Sequence, residues 1–293
     1  MDESAGASRS GIDNMDIVHT FDRTADVSKL EGCNTRGVEY RWSIFERELA
    51  TVPTAACVLD FGAGSLRESF DLAMRGFNVT SLDIDADVLA SYSSRYSWPD
   101  VTKHRLIASP DNLFDGLREI EGETFDLITA FDVLEHLDDP AKALAALCRH
   151  LTPTGKLFIT VPNGRTLIEQ AFRIDLMIAR ATGRYMRPGE PHLQCNSPAK
   201  WRKIIESAHL RVVAHEMAIG FFANTFNALV QLPTLIAGRI LRRVGVPNDA
   251  AGFCKRLFSG RRMAPLDRID QATAPIFRGL YGWNLFVVKR SEP

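Results

Sequence analysis

Hydrophobic positions along this chain alternate between two patterns. Ala56 to Phe61 is a short, largely apolar run ending at Gly62, as expected of a strand buried on both faces of a parallel sheet. Leu66 to Arg75 shows helical spacing, with Gly76 as its stop. The alternation then repeats. A second strand is predicted over Phe77–Ile84, a helix over Ala86–Arg95 and a weaker strand over His104–Ala108. A fourth strand follows over Phe125–Ala130, a helix over Pro140–Leu151 and a fifth strand over Gly155–Val161. Strands alternating with helices predict a doubly wound, mostly parallel α/β sheet. Ahead of this block, Tyr40, Ile44, Phe45 and Leu49 recur at helical spacing within Val38–Ala50, and Pro53 closes that helix.

Beyond the fifth strand the pattern changes. A helix over Pro198–Ala208 precedes a strand over Leu210–Met217, and a last strand, Trp283–Lys289, comes about sixty residues later. Such a gap is too long for a plain loop in a compact domain and must have structure of its own. Three parts are therefore expected: a polar, mobile lead-in over 1–35, a main domain over 36–218 with 276–293, and a helical insertion over 219–275.

Composition narrows the function classes. With 45% hydrophobic and 24% charged residues, the chain can build a sizeable core and is neither a disordered chain nor a rod. Its 35 Lys and Arg against 36 Asp and Glu lack the basic footprint of a nucleic-acid binder. The five cysteines are scattered without a C-x-x-C pair, which fits neither a disulfide framework nor a structural zinc site. Met1 to Ala7 is acidic and polar, unlike a secretion signal, so a cytoplasmic location is expected.

Candidate chemistry begins where the first strand turns into a helix. Gly62 and Gly64 allow a sharp bend and a close backbone approach to a ligand. Asp83 ends the second strand, 23 residues after Asp60, where a carboxylate can accept both hydroxyls of a ribose. A dinucleotide fingerprint would place a third glycine where Arg67 stands, and Asp60 suits a cationic ligand better than a phosphate.

At this point the chain resembles the class I S-adenosylmethionine-dependent methyltransferases. Asp60-Phe61-Gly62-Ala63-Gly64 is similar to their first motif and Thr80-Ser81-Leu82-Asp83-Ile84-Asp85 to their second. Phe125 to Leu137 is similar to their fourth-strand segment, and Leu151 to Leu157 to the start of their fifth strand. The resemblance covers roughly residues 38–218 and the last strand. It implies a Rossmann-like, seven-stranded sheet with an antiparallel last strand. S-adenosylmethionine is the implied cofactor. Gly62 and Gly64 would pass under its methionine part, Asp60 would help hold the amino end, and Phe131 would flank it. Asp83 would bind the ribose and Ile84 pack on the adenine. Leu66 departs from a frequent glycine, and Ser109 replaces a frequent acid at the adenine amino group, with Asp111 as a substitute.

Methyl transfer requires a positioned nucleophile and removal of its proton. Asp132, Glu135 and His136 are spaced i, i+3, i+4 and share one face if Asp132 opens a helical turn. His192 follows the fifth strand. Together these four could form a general-base cluster or hold a metal ion; a Glu-His pair can also merely shape the pocket. The set is similar to that of small-RNA 2′-O-methyltransferases and, more loosely, quinone-pathway O-methyltransferases. That resemblance implies Mg²⁺ or Mn²⁺ held by Asp132, Glu135, His136 and His192. His19, His104, His150, His209 and His215 read as structural or surface residues.

The insertion carries its own signal. No charge occurs between Glu216 and Arg239, yet Asn224, Thr225, Asn227, Gln231, Pro233 and Thr234 interrupt the stretch and argue against a spanning helix. Arg239 to Arg268 then holds eight basic residues against two acids. An apolar stretch joined to a basic one is expected of a segment over 219–268 lying on an anionic membrane. A lid over a greasy substrate, a subunit contact and plain packed helices fit as well. The combined expectation is an enzyme that methylates an oxygen on a small or lipid-linked acceptor, such as a quinone precursor, a glycolipid or a sugar hydroxyl. The alternatives are N- or C-methylation of a metabolite, 2′-O-methylation of RNA, a nicotinamide dehydrogenase, and a non-catalytic S-adenosylmethionine-binding regulator.

Overall fold

A computed structural model describes residues 44–100, 102–110, 112–182, 191–257 and 260–291. The lead-in expected over 1–35 lies outside the described residues, and the first helix is described as α1 over 44–49. Five strands run parallel: β1 (Cys57–Phe61), β2 (Asn78–Asp83), β3 (His104–Ala108), β4 (Phe125–Phe131) and β5 (Leu151–Pro162). Helices α2 (Arg67–Met74), α3 (Ala86–Ser93), α4 (Leu113–Arg118) and α5 (Pro140–Arg149) link them. After β5 come α6 (Leu167–Thr182), α7 (Pro198–Ser207) and β6 (Leu210–Ala218), and the sheet closes with β7 (Trp283–Arg290). The spatial order is β3-β2-β1-β4-β5-β7-β6, with β7 antiparallel to both neighbours.

The continuous apolar runs follow from burial on both faces. Leu59, Phe61, Ile128 and Leu157 point into one core, while Val58, Val79, Leu127 and Phe158 point into the other. Successive residues of a strand face opposite sides, so a strand covered on both is mostly apolar. Its few buried polar side chains, such as Asp60, Ser81 and Thr129, are hydrogen-bonded to one another or to their neighbours. Strand order reverses between β1 and β4, which opens a crevice at their carboxyl ends.

Three local expectations are corrected. The second helix starts at Arg67, because Leu66 is in the left-handed region (φ 57°). That strained conformation is offset by complete burial of the Leu66 side chain against Ala63, Phe70, Leu89 and Tyr96. β5 begins at Leu151, ahead of Gly155, and a register shift against β4 absorbs the Thr152-Pro153-Thr154 segment. Helix α6 was not foreseen.

Residues after β6 form α8 (Phe221–Phe226), a π turn (Asn227–Gln231), α9 (Leu232–Arg243), α10 (Ala250–Leu257) and α11 (Gly260–Phe277). Pro233 has no amide hydrogen to return to Leu229, which accounts for the wide turn just before it. Asp270 of α11 accepts the amides of Phe222 at 2.8 Å and Ala223 at 3.0 Å, so it caps α8. Ala223, Cys254 and Met263 make a small separate core there. Among the described residues no helix is long and apolar enough to cross a membrane.

Candidate active site

The crevice is built first by backbone. Gly62 (φ +77°) and Gly64 (φ +46°) carry the chain from β1 toward α2 in conformations that side chains rarely adopt. A Cβ at Gly62 would also lie 2.4 Å from Val133 Cγ2, so the segment that follows β4 demands glycine there. The amides of Gly62 and Ala63 donate to Leu82 O at 2.8 and 3.0 Å. Asp83, at the tip of β2, accepts the Gly64 N–H on Oδ2 at 2.8 Å and the Asp85 N–H on Oδ1 at 3.2 Å. Its neighbour Ile84 is an apolar side chain left 39% exposed.

Asp60 lies just beneath this bend and is turned inward. Its carboxylate accepts the Ser69 hydroxyl at 2.6 Å and the Thr129 hydroxyl at 2.7 Å. Burial, reinforced by the nearby Glu68 charge, pushes its pKa up to about 6. Any action of Asp60 on a ligand's amino end therefore works through its field. Asp60, Glu68 and Asp83 together make the bend electronegative, which suits a cationic ligand. Phe131 packs edge-on against Phe45 and Phe158, tying α1 to the end of β4. The Ser109 hydroxyl is already donated to Asn112 O at 2.5 Å, within the turn that opens α4. Asp111 lies outside the described residues.

The expectation that Asp132, Glu135 and His136 share a helical face is corrected. Asp132 is left-handed (φ 56°) and opens no helix. Its Oδ1 instead accepts the Thr160 hydroxyl at 2.8 Å and the Trp283 indole N–H at 2.8 Å, turning the carboxylate toward β5 and β7. Glu135 and His136 belong to a 3-10 turn over Leu134–His136.

The loop over 191–196 completes this cluster. The Gln194 N–H donates to Glu135 O at 3.0 Å, and Gln194 Nε2 donates to Leu137 O at 3.0 Å. The Gly164 N–H donates to Asn196 O at 2.9 Å, and a Cβ at Gly164 would strike Cys195 O at 2.3 Å. So held, His192 lies with its ring centroid 5.0 Å from that of His136. One ligand atom from each of Glu135, His136 and His192 lies within 4.8 Å of the others. Glu135 is 1% exposed, so its carboxylate belongs to the interior of this group.

Both imidazoles are tethered through Nδ1. His136 Nδ1 lies 3.0 Å from Pro191 O, and His192 Nδ1 lies 2.9 Å from Glu169 Oε2. A carbonyl and a carboxylate only accept, so each Nδ1 carries a hydrogen, which leaves Nε2 as the lone-pair nitrogen whenever the ring is neutral. Glu169 escaped the sequence reading. Its one local signal, Thr166-Leu167-Ile168-Glu169, has the form of a helix capping box, which points to α6 and not to a histidine 23 residues further on.

Comparison with known proteins agrees with this architecture. Residues 36–215 match the methyltransferase domain family. A "Ubiquinone biosynthesis O-methyltransferase" of Hydrogenovibrio crunogenus is 29% identical over 145 residues, 49% of this chain and 55% of that protein. The protein of the same name from Pseudomonas syringae pv. tomato is 33% identical over 107 residues, 36% of this chain and 44% of its own. The chain thus spans about half the length of the curated relatives it matches. Among solved structures, a putative sarcosine dimethylglycine methyltransferase from Galdieria sulphuraria superposes with a TM-score of 0.50. It covers 86% of this chain and 84% of its own at 15% identity, a likeness of fold alone. With the glycine bend, the Asp83 tip, the reversed strand order and the family match over 36–215, the chain belongs to the methyltransferase domain family and is a class I S-adenosylmethionine-dependent methyltransferase.

Proposed function

We propose that the enzyme transfers the methyl group to an oxygen of a small or lipid-linked acceptor. The observation that carries this reading is the pair of tethered imidazoles. Both rings are held at Nδ1, and ligand atoms of the two imidazoles and a buried carboxylate converge beside the cofactor crevice, where a hydroxyl must lose its proton as it attacks the methyl carbon. The relatives named for ubiquinone biosynthesis favour an oxygen acceptor of the quinone-precursor class, with N- or C-methylation as the second reading.

On the cofactor side, Gly62 and Gly64 pass under the methionine part and the Asp60 charge favours its cationic end. Asp83 takes the ribose hydroxyls while keeping the Gly64 amide, Ile84 covers the adenine, and Phe131 backs the methionine. On the acceptor side, His136 or His192 accepts the hydroxyl proton at Nε2, and Glu135 supports the charge that forms. The same three residues fit a divalent cation. One carboxylate and two imidazoles suit Mn²⁺ better than Mg²⁺, which prefers oxygen ligands. When bound, such an ion supplies polarisation of the acceptor hydroxyl.

The apolar side chains of Leu229, Ile240, Leu241 and Val244 are exposed beside the basic stretch of the insertion. They support a segment that meets a lipid-linked acceptor at an anionic membrane surface. The test is incubation of the enzyme and a labelled methyl donor with cell lysate, followed by extraction. Label in the organic phase as a methyl ether is expected; label confined to water-soluble amines overturns the reading.

A further inference from the structure

Glu169 is a buried acid to which the reading above gives no task. It lies in the first turn of α6 and is 1% exposed. Among the described residues its Oε1 has no hydrogen-bond partner, and its Oε2 meets the His192 ring. A buried carboxylate with one bare oxygen is costly unless something else requires it. Helix capping does not, because the Thr166 N–H that a capping-box glutamate would accept already donates to Asn163 O at 3.0 Å. What the carboxylate does accomplish is visible in the ring it holds. Phe172 stands edge-on to His192 at 5.2 Å and His136 edge-on at 5.0 Å, so the imidazole is packed from two sides while Glu169 grips Nδ1.

We infer that Glu169 is the positioning residue for His192: it fixes the Nδ1–H tautomer and thereby directs the Nε2 lone pair at His136 and Glu135. An untethered imidazole mixes both tautomers and flips, whereas a ring held at Nδ1 by Glu169 leaves Nε2 as the nitrogen it can offer to the cluster. The inference rests on the acceptor-site reading and holds equally for a proton-accepting and a cation-binding Nε2.

The test combines nitrogen-detected imidazole spectra at one neutral pH, in chelator, with turnover on an alkyl-substituted catechol. Wild type is compared with Glu169→Ala, Glu169→Gln and His192→Gln, the last assigning the ring by loss of its signal. The His192 ring of the wild type should carry its proton on Nδ1. In Glu169→Ala it should move toward the Nε2–H tautomer, with kcat lowered about tenfold or more and affinity for S-adenosylhomocysteine unchanged. Glu169→Gln still presents an oxygen acceptor, so it should keep the tautomer and lose less. A tautomer that stays put in Glu169→Ala overturns the inference. So does a wild-type ring protonated on Nε2, which is read without any variant and decides the matter even where Glu169→Ala does not fold. If His192→Gln turns over like the wild type while the His192 tautomer still shifts in Glu169→Ala, the acceptor-site reading has failed and this inference has not.

Discussion

The indole N–H of Trp283 reaches Asp132 Oδ1 at 2.8 Å across 151 residues of chain, and that bond turns the Asp132 carboxylate toward the last strand. It ties the end of β4 to the start of the last strand and removes the Asp132 carboxylate from the cluster of Glu135, His136 and His192. Replacing Asp132 by Ala strands the Thr160 hydroxyl and the Trp283 indole, and should cost about 1–3 kcal/mol of stability in urea denaturation. Asp132→Asn keeps one acceptor oxygen and should cost less. Loss of turnover in Asp132→Asn at unchanged stability would put the acid back in the chemistry.

Asp83 joins β2 to the glycine bend through the Gly64 amide. Truncating it removes that acceptor and, on the proposed role, the ribose contacts as well. Asp83→Ala should weaken S-adenosylhomocysteine binding by about 1–3 kcal/mol in calorimetry. Unchanged affinity contradicts the assignment.

Asp60 predicts a dependence of stability on pH. Burial raises its folded pKa from 3.8 to about 6, so the fold holds this proton more tightly than the unfolded chain does. The resulting stability is fully present below 3.8 and is lost as pH rises through about 6. Asp60→Asn cannot ionise. Relative to wild type it should gain up to about 3 kcal/mol between acid and neutral pH, whatever constant offset its altered hydrogen bonds introduce. A difference that stays flat with pH contradicts the burial account.

Metal removal separates the two uses of the cluster. If a cation sits on Glu135, His136 and His192, chelator should abolish methyl transfer and Mn²⁺ should restore it more fully than Mg²⁺. Full turnover in chelator leaves the imidazoles as the proton acceptors.

The membrane reading of the insertion is checked by co-sedimentation with anionic vesicles. Neutralising Arg239, Arg242 and Arg243 together should reduce binding, and added salt should reduce it further. Absence of binding by the wild type returns this segment to ordinary packing.

Much of this was legible in the sequence for a physical reason. A strand buried on both faces is mostly apolar, so β1 and β4 could be read from their apolar runs even though Asp60 and Thr129 lie buried within them. Gly62 also stands out because no side chain fits against Val133. The site was legible only in part. Helical spacing placed Asp132 with Glu135 and His136, but spacing cannot report a left-handed residue whose carboxylate is claimed by Trp283 from the other end of the chain. Glu169 was hidden in the same way, since its partner His192 is close only after the loop over 191–196 docks through Gln194 and Gly164. The polar residues and Pro233 that argued against a single spanning helix in the uncharged stretch before Arg239 do divide it: Ala218 ends a strand, and a π turn precedes Pro233.

The account stands most directly on where the methyl group goes. Wild-type enzyme and His136→Ala should be given isotope-labelled methyl donor and an alkyl-substituted catechol, and the product examined by NMR for the atom that carries the label. The account predicts a methyl ether on a phenolic oxygen, formed about a hundredfold more slowly or worse without the His136 imidazole. A label on nitrogen or carbon, or undiminished transfer by His136→Ala, would contradict it.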